Sequence, residues 1–166
     1  MIDLGRTLVN TVGTAYLLPK RLRVVLLRAC GLRVGRALIF SGSLFRTTDV
    51  EIGDGSFVNH RCLFDGPVVL GRNVAVSTSV TFAGGGHELG PSSARAGAPV
   101  QRPILVGDGA WIGANAVIHG GVTIAAGCVI GAGAVVTRST EPDGVYVGVP
   151  ARRIRTLAEQ PEPLPA

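Results

Sequence analysis

Aromatic residues are scarce in this chain: five Phe, two Tyr and one Trp among 166 residues. Proteins that grip single-stranded nucleic acid stack bases on rows of aromatic rings, and so few rings cannot build that platform. Cysteine is equally sparse. Cys30, Cys62 and Cys128 are an odd count without metal-ligand spacing, which argues against a disulfide or zinc framework and for packing roles. No apolar run is long enough to span a bilayer. No charged start leads into an apolar stretch with a small-residue cleavage site, so a cytoplasmic protein is expected. The basic residues are almost all Arg, with a formal charge of +5. They gather in the first part of the chain, up to Arg36, and again near its C-terminal end. That distribution fits two local anion sites better than one nucleic-acid patch.

What the chain has instead is glycine, 24 residues of it, placed periodically. Residues 106–141 read VGDGAW-IGANAV-IHGGVT-IAAGCV-IGAGAV-VTRSTE, six blocks of six. Val106, Ile112, Ile118, Ile124, Ile130 and Val136 open the blocks. The fifth position is small: Ala110, Ala116, Val122, Cys128, Ala134, Thr140. Fifth and next first residues are two apart, so on an extended strand both point to one side and line a narrow core. The fourth position is Gly109, Asn115, Gly121, Gly127 or Gly133, the residue types that take positive φ at least cost. A short strand and a corner repeated every six residues describe a parallel β-helix.

Elsewhere the pattern is less regular. Blocks begin near Leu32 and become readable at Ile52, FDGPVV breaks them, and they resume until Phe82. Residues 84–103, GGGHELGPSSARAGAPVQRP, have neither helix nor strand periodicity and predict a loop pushed out of the coil, a common place for function. At the N-terminus, Leu4, Leu8, Val12 and Tyr16 have helical spacing. A second helical segment starts near Pro19 and stops near Gly31; its apolar stripe is Leu22, Val25, Leu26 and Ala29, with Arg21, Arg23 and Arg28 largely off it. The segment predicts a helical cap packed by that stripe over the open end of the coil. An alternative is a basic amphipathic helix at residues 19–30 that makes peripheral contact with a membrane, which would suit an enzyme acting on a lipid-linked sugar. The division expected is a cap at 1–31, the β-helix at 32–155 and a Pro-rich acidic tail at 156–166.

The motifs VNHRCLFDG, a Gly-His pair entering the loop, VGDGAWIGANAVI, GAGAVVTR and VGVPARRIR occur in order between Glu51 and Arg155. In this the chain resembles the hexapeptide-repeat acyltransferases, in their maltose and galactoside O-acetyltransferase branch. The N-terminal part looks closer to the colanic-acid-type acetyltransferases. The resemblance implies an all-β fold, a left-handed parallel β-helix with three blocks per coil and a short helical cap. It also implies a homotrimer with active sites between adjacent β-helices, acetyl-CoA as co-substrate, no metal, and a sugar or sugar-containing acceptor.

His87 matches the family's catalytic histidine, a general base for a sugar hydroxyl. Glu88 follows it and would orient the ring only if the two side chains converge. Asn59 and Asp65 match acceptor-binding positions, where an amide and a carboxylate hydrogen-bond hydroxyls. Trp111, the last residue of its block, is expected to face outward and to line the subunit interface, the acceptor site, or both. Ala114, Ala132, Thr137, Arg138, Arg152 and Arg155 match coenzyme A positions, small residues for the pantetheine arm and Arg for the phosphates. His60 and His119 are scattered relative to His87, unlike the zinc histidines of γ-type carbonic anhydrases that share this fold. The implied activity is O-acetyl transfer. N-acetylation of an amino sugar or an antibiotic, and a non-catalytic scaffold, are the alternatives.

Overall fold

The computed structural model describes residues 4–157, with side chains from Thr7 onward. The tail expected at 156–166 therefore falls, from residue 158, outside the described residues, as does the side chain of Leu4. Strands are numbered in chain order and form three walls. The first wall holds β1 (Arg33–Val34), β4 (Val50–Ile52), β7 (Val68–Leu70), β12 (Ile104–Val106) and β15 (Thr123–Ile124). The second holds β2 (Leu38–Ile39), β5 (Phe57–Val58), β8 (Ala75–Val76), β13 (Trp111–Ile112), β16 (Val129–Ile130) and β18 (Gly144–Val147), with β19 (Arg152–Thr156) added antiparallel. The third holds β3 (Leu44–Phe45), β6 (Leu63–Asp65), β9 (Thr81–Ala83), β14 (Val117–His119) and β17 (Val135–Val136). Pairing within each wall is otherwise parallel, so the chain winds as a β-helix.

Register explains the winding. Ile52 lies beside Leu70, Leu70 beside Val106 and Val106 beside Ile124, so three blocks make one coil and like stacks on like. Every block-opening residue from Ile52 to Val136 is buried, as is the residue two places before it. A fully buried Ile or Leu contributes about 1.5–3 kcal/mol, and the ladder repeats that gain coil after coil. The corners turn where the glycine and asparagine spacing puts them: Gly109, Asn115, Gly121, Gly127 and Gly133 have φ between 59° and 81°.

FDGPVV does not break the coil. Phe64, Val68 and Leu70 occupy the inward places of their walls. The block looks irregular because an aromatic replaces the aliphatic and Gly66-Pro67 make the corner. Phe45, Phe64 and Phe82 stack inside the third wall with centroids 4.9 Å apart, so most of the chain's few phenylalanines serve its core. Cys62 is buried in the same interior, and burial pushes its thiol up to about 11, where it is inert at neutral pH.

Two helices close the N-terminal end, α1 (Leu4–Thr14) and α2 (Lys20–Ala29). The first coil has no coil beneath it, so its backbone groups need side-chain partners. Each wall receives one. The Phe45 amide on the third wall donates to Asn10 Oδ1 at 2.8 Å. Arg23 Nη1 donates to the Ile39 carbonyl on the second wall at 3.0 Å. Arg28 Nε donates to the Val34 carbonyl on the first wall at 2.6 Å. Gly13 is needed in α1 because a Cβ there would stand 2.5 Å from the Ser43 carbonyl oxygen.

The helices therefore present faces other than those the apolar spacing predicts. In α1 it is Val9 and Gly13, with Val12, that meet the coil, while Leu8 and Tyr16 are exposed. In α2 the buried residues are Arg23, Val24 and Leu27. Leu22 and Val25 are exposed, and Ala29 is too. Arg23 also donates to the Leu18 carbonyl at 3.2 Å and to that of Ala15, and its burial lowers its pKa. Replacing Arg23 with Ala is expected to destabilise the chain by about 2–4 kcal/mol, because several buried carbonyls lose their donor. Leu22→Ala should change stability by no more than about 0.5 kcal/mol. Urea unfolding of the two variants against wild type checks the contrast.

Candidate functional site

Between Ala83 and Ile104 the chain leaves the third wall. The expected loop is an ordered hairpin: β10 (Gly85–Leu89) and β11 (Ala96–Gln101) pair antiparallel, with an irregularity between His87 and Leu89. His87 is exposed on β10, and its Nδ1 lies 2.8 Å from the Gly97 carbonyl oxygen. A carbonyl only accepts, so in the neutral ring the hydrogen sits on Nδ1 and Nε2 keeps its lone pair. Glu88 does not orient the ring. Its carboxylate pairs with Arg102 at 3.1 Å instead, because adjacent residues on a strand point to opposite sides.

His87 borders a cleft of about 250 Å³ with Ala83, Gly86, Arg102, His119 and Gly120. The third wall explains the grouping. Asp65 pairs in register with Ala83, and Ala83 with His119. Thr137 directly follows Val136, the partner of Ile118, so it and Arg138 continue that column on the next coil, both exposed. Asp65 lies beneath the hairpin: a Cβ on Gly85 would stand 2.9 Å from Asp65 Oδ1. The Asp65 carboxylate pairs with Arg46 Nε at 3.3 Å.

Asn59, Ala114 and Ala132 sit at the corner where the third wall begins, across its width from the hairpin. Asn59 and Ser77 each follow the paired residues Val58 and Val76, so they occupy one corner column. Asn59 Oδ1 accepts the backbone N–H of His60 at 2.8 Å, which commits that oxygen to its own turn. Trp111 faces outward, 55% exposed, and its indole N–H donates to Ser77 Oγ at 3.3 Å. Ala114 and Ala132 stack one coil apart, the Gly133 amide donating to the Ala114 carbonyl at 2.8 Å. Arg152 and Arg155 are exposed on β19, paired with Val147 and Val145 on the second wall. Within one chain the candidates thus fall in three places: His87, Asp65, Thr137 and Arg138 at the end of the third wall, Asn59, Ala114 and Ala132 at the corner before it with Trp111 on the adjoining second wall, and Arg152 and Arg155 on β19.

His60 belongs to neither. Its Nδ1 lies 3.1 Å from Ser41 Oγ and its ring meets Phe40 edge-on, at the rim of a larger hollow beside the cap. Among the described residues no group of three or more His, Cys, Asp or Glu is placed to hold a metal. Arg102 and His119 were not singled out by motif. His119 becomes visible once the hairpin is recognised as an insertion, because the coil count then puts it directly above Ala83.

Comparison with known proteins agrees with this architecture. Residues 103–138 match the model for the bacterial transferase hexapeptide (six repeats). The galactoside O-acetyltransferase of Escherichia coli (strain K12) is 35% identical over 115 residues, covering 68% of this chain and 57% of that protein. The chain thus spans less than two thirds of that relative's length. A galactoside acetyltransferase solved in complex with coenzyme A superimposes with a TM-score of 0.82 at 31% identity, over 92% of this chain and 78% of that one. A hexapeptide-repeat-containing acetyltransferase from Vibrio cholerae O1 biovar eltor, solved with acetyl coenzyme A, gives a TM-score of 0.84 at 28% identity, over 95% and 90%. By its repeat, its coil and these relatives, the chain belongs to the hexapeptide-repeat transferase family.

Proposed function

We propose that the protein is an acetyl-CoA-dependent O-acetyltransferase that modifies a hydroxyl of a sugar or sugar-containing metabolite by direct transfer. The observation that carries this reading is His87 at the mouth of its cleft, with Nδ1–H anchored on the Gly97 carbonyl and Nε2 left to accept a proton. In the reaction Nε2 takes the acceptor's hydroxyl proton as the oxygen bonds to the thioester carbonyl carbon. The C–S bond then breaks, and the imidazolium returns the proton to the departing coenzyme A thiolate. No covalent intermediate on the protein is required. Asp65, beside Gly85 under the hairpin, is suited to accept hydrogen bonds from acceptor hydroxyls. The names of the relatives support both donor and acceptor class.

The donor would lie along the corner columns, where Ala114 and Ala132 let a pantetheine arm approach the backbone. Arg138, Arg152 and Arg155 would meet its phosphates, and Thr137 would line its path. Because these residues lie at separate places on one chain, the reading includes a second copy that brings its edge to the first, as a homotrimer with sites between subunits. The outer face of the second wall supports such contacts: Leu38, Phe57, Ala75, Trp111 and Val129 form an outward column of apolar residues. Trp111 and Asn59 would then stand near a neighbour's His87. Three unpaired cysteines support a reducing, cytoplasmic setting.

Release of coenzyme A thiol from acetyl-CoA, measured with a panel of sugars and amino sugars, tests the chemistry. Wild type is expected to release thiol only with a suitable acceptor, and His87→Ala to lower the rate by at least about a hundredfold with acetyl-CoA binding retained. Preference for an amino sugar would move the reading to N-transfer, and no binding of acetyl-CoA would leave a scaffold.

Light scattering tests the assembly. Wild type is expected at three times the chain mass, and Trp111→Glu, which puts a charge on the apolar column, at one. An equal mass for both would remove Trp111 from the interface.

A further inference from the structure

Leu22, Val25 and Ala29 of the apolar stripe that marks α2 as amphipathic point away from the protein, while Leu26 is half-buried. A helix advances about 100° per residue. Arg23, Val24 and Leu27 fill one arc and are buried, so Leu22, Val25 and Ala29 fall on the opposite arc. Leu22 is 47% and Val25 55% exposed, and in the turn between α1 and α2 Leu17 is 99% exposed. Closing the coil does not use these side chains: Val9, Val24 and Leu27 pack on the core, and Asn10, Arg23 and Arg28 pair the backbone groups. A water-facing patch of large apolar residues marks a contact surface.

Charge identifies the partner. Residues 4–48 contain no Asp or Glu, whereas Lys20, Arg21 and Arg28 all lie on α2. Arg21 and Arg28 fall on the same flank of the exposed stripe by the same angular count. Farther along, Arg33, Arg36 and Arg46 are each paired with carboxylates, namely Asp49 and Glu51, Asp54, and Asp65. Among the described residues Lys20 and Arg21 join no ion pair. Lys20 stands 4.0 Å over the Phe40 ring, and Arg28 is held by the Val34 and Gly35 carbonyls with Asp54 in electrostatic reach. A second copy placed on this patch would bring two such cationic helices together, which like charges oppose.

We propose that the cap docks on an anionic lipid bilayer. Helix α2 lies in the interface, with Leu17, Leu22 and Val25 among the acyl chains and Arg21 and Arg28 at the headgroup phosphates. The apolar column on the second wall stays free for other contacts.

Co-sedimentation of the full chain with vesicles tests this without any turnover. Binding to phosphatidylcholine vesicles containing phosphatidylglycerol is expected to be at least about tenfold tighter than to phosphatidylcholine alone, and to weaken as salt rises. The triple variant Leu17→Ser/Leu22→Ser/Val25→Ser should lose binding while keeping its melting temperature and its mass in light scattering. Arg21→Gln, which leaves every apolar contact in place, should weaken binding to the anionic vesicles about fivefold. Failure of wild type to bind anionic vesicles at low salt would overturn the proposal. So would undiminished binding by the triple variant. A fall in the mass of that variant, with vesicle binding unchanged, would assign the patch to contact between copies instead.

Discussion

Everything in this molecule depends on the register between successive coils. An inward residue sits on the inward residue three blocks earlier, and the amides of one coil donate to the carbonyls of the next, as Gly107 does to Ile124 at 2.8 Å. Slipping by one residue would turn the aliphatic ladder outward. The positive-φ corners at Gly109, Asn115, Gly121, Gly127 and Gly133 hold that register by turning the chain after each short strand. Because the period is maintained so strictly, an insertion of the size of the β10–β11 hairpin can leave and return without disturbing Val106, which still lands on Leu70.

A coil of this kind has open ends, and the N-terminal end shows which force closes it. The expectation was hydrophobic burial, with the stripe Leu22, Val25, Leu26 and Ala29 turned inward. The residues buried against the first coil are instead Val9, Val24 and Leu27, and the coil's backbone groups that face the cap also need polar partners. Arg23 turns inward to donate to the Ile39 carbonyl of that coil and to the Leu18 carbonyl of the helix connection, and Leu22, Val25 and Ala29 are left on the outside with Leu26 half-buried. Spacing alone identifies an amphipathic helix. It does not say which face the neighbour needs.

The candidate site is organised by the width of one wall. Asp65, Ala83 and His119 are far apart in sequence and adjacent in space because the coil count brings them to one column. Asn59 and Ser77 share another column for the same reason, and Trp111, in the Ala75 column beside it, reaches Ser77 through its indole N–H. His87 owes its geometry to a partner strand, since the Gly97 carbonyl that orients its ring arrives through the hairpin. Neither column makes a site alone, which is why the catalytic reading carries an assembly with it.

By itself the sequence determined the repeat, the corners and the inward ladder, because six-residue periodicity is a local property in which each residue's direction follows from its place in a strand. It also pointed to His87 and the arginines after GVPA through motif. The tertiary structure decided what depends on distant partners. Phe64 and Leu70 keep the coil going through FDGPVV because they stack on Phe82 and Val106. Glu88 is taken by Arg102, and Asn59 by its own turn, through contacts that spacing does not encode. The inward turn of Arg23 and the outward turn of Leu22 go with the Ile39 carbonyl of a coil edge and with the burial of Val24 and Leu27 on it, and that edge exists only once the chain has wound.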